Sequence, residues 1–234
     1  MIYTVTLNPA LDKTVQIPSF RLGEVNRISA MRTDPGGKGI NVSKVLRELG
    51  EPSVAAAILG GAAGQKIESA LRALGIEGMY LFTGHETRTN LKIVDPALHT
   101  NTDVNEPGAP ADEAVLSQLL AQLTGRLRPG DLVVLSGKAP AGAPDTLYRD
   151  WILACRAAGA AVYLDAEGEL LRQGVTAGPA LIKPNQAELS GVMGRSLTTE
   201  DETIRAAQEL LAQGVGCVAV TMGAGGALLC WTDC

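Results

Sequence analysis

Aromatic residues are scarce in this 234-residue sequence, at two Trp, four Tyr and two Phe, so its interior must be built from Ala, Leu, Val and Gly. Basic residues are in no excess. Lys and Arg number 20 against 25 Asp and Glu, a formal charge of −5, which removes the electrostatic case for a nucleic-acid partner. No apolar run approaches the roughly 20 residues of a membrane span, so no membrane partner is expected. The opening "MIYTVTLNPALD" has neither the charged nor the apolar region of a signal peptide. Histidine is limited to His85 and His99, which lie in no HExxH and near no cysteine, so spacing gives them no metal role. The four cysteines, Cys155, Cys217, Cys230 and Cys234, form no CxxC and are expected as reduced thiols in a cytoplasmic protein. With 46% apolar and 19% charged residues, the chain fits one α/β domain with a substantial core.

Strand and helix patterns alternate along it. "IYTVTL" (2–7), "VAAAILG" (54–60), "DLVVLSG" (131–137), "AVYLD" (161–165), "ALIKPN" (180–185), "CVAVTMG" (217–223) and "GALLCW" (226–231) read as strands. After Gly39 the spacing predicts a helix with Val42, Val45, Leu46 and Leu49 on its apolar face, stopped by Gly50. Ile67, Ala70, Leu71 and Leu74 predict a second helix, and Val115, Leu116, Leu119, Leu120 and Leu123 a third. Further helices are expected over 144–158 and over 199–214, the latter opened by a capping box from Thr199 to Glu202. Strands separated by helices imply βαβ units and a mostly parallel sheet. Two stretches, within 13–34 and 87–105, leave no room for a crossover helix. They are expected as strands of a small side sheet covering a cleft, the second a hairpin around Pro96.

The segment "DPGGKGINVSKVLRELG" (34–50) places three glycines and a lysine directly before a helix. A helix N-terminus offers unpaired N–H groups and positive dipole. Glycine lets a ligand approach that backbone. The stretch therefore suits an anion or a hydroxyl-rich sugar, and equally a glycine-rich turn with no ligand. It is neither a P-loop, since Gly39 follows Lys38 where Ser or Thr is required, nor GxGxxG.

Four motifs in register carry a resemblance: "NPALD" after the first strand, "GGKGINVSKVLRELG" at the first helix, "TRTN" at the hairpin and "KPNQAEL" after a later strand. Together they resemble the PfkB (ribokinase-like) family of sugar kinases along the whole chain, and within it the phosphosugar kinases of 1-phosphofructokinase type. The resemblance implies an α/β fold, a ribokinase-like αβα sandwich with a mostly parallel central sheet and a small β lid. The active site is expected at the C-terminal edge of that sheet, as in open α/β sheets generally.

By the same resemblance, Asp12 holds sugar hydroxyls, Gly36, Gly37 and Asn41 form the sugar-binding segment, and Lys38 lies near the phosphosugar. Arg27 and Arg88 match positions that grip the substrate's existing phosphate, as a guanidinium fork suits. Asn90 and Ser136 are companions. Lys183 and Asn185 fall beside the nucleotide phosphates, Glu188 serves Mg²⁺ largely through water, and Thr221, Gly223 and Gly226 match the nucleotide loop. The implied cofactors are ATP and Mg²⁺. The implied reaction is phosphorylation of fructose 1-phosphate to fructose 1,6-bisphosphate. Tagatose 6-phosphate kinase and a non-catalytic phosphosugar-binding fragment are the alternatives. "DAEGELL" (165–171) departs from the family pattern and receives no site role. The family's GAGD motif, whose Asp is the base, does not occur: "GAGG" (223–226) aligns with the earlier nucleotide loop, so no catalytic residue is assigned. A kinase unit over 1–234 lacking its C-terminal part is therefore expected, with a homodimer through the lid as a further expectation.

Overall fold

The computed structural model describes residues 1–110 and 112–231; Cys234 lies outside them. In chain order, β1 (Ile2–Thr6), β2 (Ala10–Gln16), β3 (Ala30–Gly36), α1 (Lys38–Glu48), β4 (Ser53–Gly60), α2 (Gly61–Ala73) and β5 (Glu77–Thr83) come first. Then follow β6 (Thr89–Asp95), β7 (Thr100–Asn105), α3 (Glu113–Arg126), β8 (Leu132–Ser136), α4 (Leu147–Ala157), β9 (Ala161–Asp165) and α5 (Gly168–Val175). The last elements are β10 (Leu181–Ile182), α6 (Gln186–Met193), α7 (Glu200–Ala212), β11 (Cys217–Thr221) and β12 (Ala227–Trp231).

The main sheet has the order β12-β11-β10-β9-β8-β1-β4-β5 and is parallel except for β12, which returns antiparallel to β11. Every parallel strand therefore ends at the same edge. The second sheet, β3-β2-β6-β7, is the expected lid. Its register aligns Asp12 with Asp34 on one side and Asn90 on the other, and Asn90 with Asn105. Even-numbered residues of β2 thus present a polar face. The odd-numbered Val15, Ile17 and Ile93 are buried together.

The core is aliphatic, as the shortage of aromatics requires. Leu116, Leu119 and Leu123 belong to α3, which packs over β4 and β5; Tyr148, Trp151, Ile152 and Cys155 belong to α4, which packs against β9; and Ile67 and Leu71 of α2 pack on β4. Each such side chain contributes on the order of 1.5–3 kcal/mol by burial. Among the described residues Cys155, Cys217 and Cys230 form no disulfide with one another, and burial pushes the Cys155 thiol up to about 12. No helix among the described residues is long and apolar enough to cross a membrane.

Helix α1 differs from its expected face. Gly39, Ile40 and Ser43 are buried, whereas Val45 is 53% and Leu49 72% exposed. The small residues decide this. A Cβ on Gly39 would lie 2.5 Å from both Thr6 Oγ1 and the Val5 carbonyl, so the helix seats directly on β1. Ser43 completes the contact through a buried hydroxyl trio, 2.8 Å from Thr4 and 3.0 Å from Ser53. Leu74 at the end of α2 likewise stands 45% exposed rather than inside.

Candidate active site

Strand β1 ends at Thr6, and the chain turns through Asn8 and Pro9 into the lid. A cleft of about 380 Å³ opens there, lined by Thr6, Gly37, Lys38, Arg88, Asn90 and Ser136 among others. A polar cleft of about 450 Å³ continues along the lid past Asp12 and shares Asn90 with the first. The turn into α1 is held from β1: Thr6 Oγ1 accepts the buried Ile40 N–H at 2.9 Å. Gly37 has φ 121°, and a Cβ there would meet Thr6 Cγ2 at 2.5 Å, so this position is glycine on both counts.

Asp12, Asn90 and Arg88 form a chain of hydrogen bonds. The Asn90 amide donates to Asp12 Oδ1 at 2.9 Å, and its Oδ1 accepts from Arg88 Nη1 at 3.3 Å. The Arg88 fork also donates to the carbonyls of Glu106 (2.9 Å), Asn8 (3.2 Å) and Pro9 (3.3 Å). Half-burial lowers its pKa, opposed by the carboxylates of Asp12 and Glu106; a guanidinium remains charged regardless. Asn90, a companion in the sequence reading, is thus the link between the Asp12 carboxylate and the Arg88 guanidinium. Ser136, at the end of β8, is buried, and its Oγ has no hydrogen-bond partner among the described residues. Beyond Arg88 lies a more apolar hollow of about 330 Å³. Its Glu86 carboxylate is taken up by the N–H groups of Ala62 and Ala63 at the start of α2.

On the far side of Lys38 the site continues through Asp165 at the end of β9. Lys38 Nζ donates to Asp165 Oδ1 at 2.9 Å, and Lys183 Nζ lies 3.3 Å from Asp165 Oδ2. Asn185 caps α6: its Oδ1 accepts from Glu188 N at 2.9 Å, while Glu188 Oε2 accepts from Asn185 N at 2.8 Å. Asn185 also bridges to Thr221, whose N–H donates to the Pro184 carbonyl at 3.0 Å. Between β11 and β12 the chain reverses through a 3₁₀ turn, Gly223–Gly225, with Gly223 and Gly226 at φ 57° and 86°. Lys183, Asn185, Thr221, Gly223 and Gly226 therefore share one stretch of the sheet's C-terminal edge.

Arg27 and Asn41 are not gathered in. Arg27 lies exposed in the β2–β3 connection and lines neither cleft. That connection is tied to the opposite end of the lid, where Asp95 accepts from the N–H groups of Ser19 (3.0 Å) and Phe20 (2.7 Å). Asn41 points from the exposed side of α1's first turn. Glu188 stands apart from other potential ligands: among the described residues no group of three His, Cys, Asp or Glu is placed to hold a metal ion. The sequence reading missed Thr6 and gave Asp165 no role. A hydroxyl inside an apolar strand carries no signal, and Asp165 sits in the stretch that departs from the family pattern.

The profile of the pfkB family carbohydrate kinases matches residues 5–233. The chain belongs to this family. It is 42% identical to a 1-phosphofructokinase of Rhodobacter capsulatus over 229 residues, covering 97% of this chain and 72% of that protein. A 1-phosphofructokinase of Xanthomonas campestris pv. campestris is 38% identical, with coverages of 98% and 74%. Among solved structures, phosphofructokinase-2 from Escherichia coli in complex with fructose-6-phosphate superposes with a TM-score of 0.95 at 32% identity, over 100% of this chain and 77% of the other. That structure therefore shares both the main sheet and the lid seen here, and a ribokinase-like phosphotransferase fold is established for this chain.

Proposed function

We propose that this pfkB kinase takes fructose 1-phosphate as acceptor and ATP, with Mg²⁺, as donor, giving fructose 1,6-bisphosphate. The observation that carries the reading is the continuous Asp12–Asn90–Arg88 chain beside Lys38 and Ser136. It joins a carboxylate suited to hydroxyls in the polar lid cleft to cations suited to phosphate in the adjoining cleft, through the Asn90 that lines both. The relatives named 1-phosphofructokinase support the choice of sugar phosphate.

In this reading Asp12 accepts from two sugar hydroxyls while Asn90 fixes its orientation. Arg88, Lys38 and Ser136 hold the substrate's own phosphate and so aim the far hydroxyl along the sheet edge. Lys183, Asn185 and the Thr221–Gly226 turn suit a polyphosphate, with an ammonium, an amide and two left-handed glycines open to a close-lying anion. Glu188 fits an ion carried mainly by phosphates and water, since it offers a hard oxygen donor and among the described residues no group of three His, Cys, Asp or Glu is placed to hold a metal ion. Mg²⁺ supplies neutralisation of phosphate charge. No residue of this chain is assigned as the base, because the resemblance reserves that role for a GAGD aspartate. The reading also includes pairing of two copies through the lid, where Leu22, Val25, Ile28 and Met31 stand exposed. Sedimentation of the Val25→Asp variant as a monomer, against a dimeric parent, is the expected result.

Calorimetric titration with fructose 1-phosphate, tagatose 6-phosphate and fructose 6-phosphate tests the acceptor side apart from turnover. Fructose 1-phosphate should bind most tightly. Preference for another sugar would change the substrate, and no binding of any would overturn the kinase reading of this cleft.

A further inference from the structure

Asp165 belongs to neither the acceptor nor the donor set, yet it touches both. One oxygen pairs with Lys38 at 2.9 Å and the other with Lys183 at 3.3 Å. Lys38 opens α1 beside the acceptor cleft, and Lys183 leaves β10 beside the donor turn. The carboxylate is the fixed member of this trio. It ends a central strand, its backbone carbonyl accepts from Gly137 N at 2.9 Å, and its side chain is 20% exposed against 46% for each lysine. The ammonium groups ride on flexible four-carbon stems. Lys138 pairs with Glu167 at 3.0 Å. Tyr148, fully buried beneath, is kept neutral by burial and by the charge of Asp165, and donates to the Gly137 carbonyl.

We propose that Asp165 is a positioning residue: the counter-ion that parks Lys38 and Lys183 on either side of the transfer line and yields them to phosphate oxygens when ligands arrive. The proposal rests on the kinase reading above. A carboxylate in contact with both lysines competes with phosphate for them. Its charge therefore weakens anion binding at both ends while it holds the two ammonium groups in register. The trio carries a net single positive charge until a phosphate arrives.

The sign of the effect separates this role from a merely structural or metal-holding one. Titrations of the 234-residue chain with fructose 1-phosphate and, separately, ADP, both in EDTA, are compared with those of Asp165→Asn. Each ligand should bind the variant about three- to tenfold more tightly, with the gain shrinking as salt screens it. Adding Lys38→Met should abolish the gain for fructose 1-phosphate alone, and adding Lys183→Met the gain for ADP alone. Asp165→Ala, read the same way, carries the test should Asp165→Asn not fold. Unchanged or weaker binding by a folded variant, beside ordinary binding by the parent, overturns the counter-ion role alone. Failure of the parent to bind either ligand overturns the kinase reading and this role with it.

Discussion

The Asp12 carboxylate lies directly against the Cα of Gly36: a Cβ at Gly36 would fall 2.0 Å from Asp12 Oδ2 and 2.4 Å from its Cγ. The two residues come from adjacent lid strands, β2 and β3, where Gly36 pairs with Ala10, two residues before Asp12 and on the same face. Gly36 is thus glycine because of what stands over it, not because of its own backbone, whose φ is not positive.

Gly36→Ala should therefore displace Asp12 and break its bond to Asn90, lowering affinity for fructose 1-phosphate by roughly tenfold or more, as loss of a charged hydrogen bond implies. A double-mutant cycle checks the cause. In an Asp12→Ala background the same Gly36→Ala change should cost almost nothing in melting temperature. An equal cost in both backgrounds would place the clash elsewhere.

Arg88 uses Nε, Nη1 and Nη2 at once, on Pro9, Glu106, Asn90 and Asn8. Arg88→Ala should weaken fructose 1-phosphate binding by roughly 10- to 150-fold, the range of a charge-assisted contact. Arg88→Lys should not restore it, because an ammonium reproduces the charge but not the fork. Calorimetry on both variants decides. Unchanged affinity would leave Arg88 as a tie between the lid and the β1–β2 turn.

At α7 the capping box found in the sequence has a pH signature. Hydrogen bonds from the Thr198 and Thr199 N–H groups and the Thr198 hydroxyl hold the Glu202 carboxyl down at about 2. An unfolded Glu titrates near 4.3. A depressed folded-state pKa means stabilisation that is fully present above the unfolded value and is lost as pH falls from there toward about 2. Melting curves of the parent and Glu202→Gln should differ most near neutral pH and converge in acid. A gap independent of pH would assign the difference to packing.

The βαβ rhythm, the lid and the capping box were legible because each follows from local periodicity or cap chemistry. The buried face of α1 was not. Spacing favoured Val45 and Leu49, but close seating on β1 selects Gly39, Ile40 and Ser43, a tertiary preference for small residues that no hydropathy count contains. Strand β5 and helix α5 went unread for related reasons. The first is a partly exposed sheet edge interrupted by Gly78. The second has eight residues, with Gly174 placed where a Cβ would meet Leu164 at 2.5 Å. In the site, motif residues such as Asp12, Arg88 and Ser136 could be named singly. That Asn90 links two of them, and that Asp165 joins Lys38 to Lys183, depends on distances between distant segments.

Ser136 offers the sharpest separation of stability from binding. Its hydroxyl is buried without a hydrogen-bond partner among the described residues, at the end of β8 where the strand meets the cleft. Burying an unmatched polar group costs about 1–3 kcal/mol. Ser136→Ala removes that group and leaves a side chain of nearly the same shape, so the melting temperature should stay level or rise. If rotation of the hydroxyl toward the cleft supplies a phosphate contact, the same change should weaken fructose 1-phosphate binding by about fivefold or more, the equivalent of one neutral hydrogen bond of ~1 kcal/mol. The two measurements must move apart: heat stability kept or raised, affinity reduced. A fall in both would mean that Ser136 holds the end of β8 in place. Affinity left intact beside raised stability would remove Ser136 from the phosphate site.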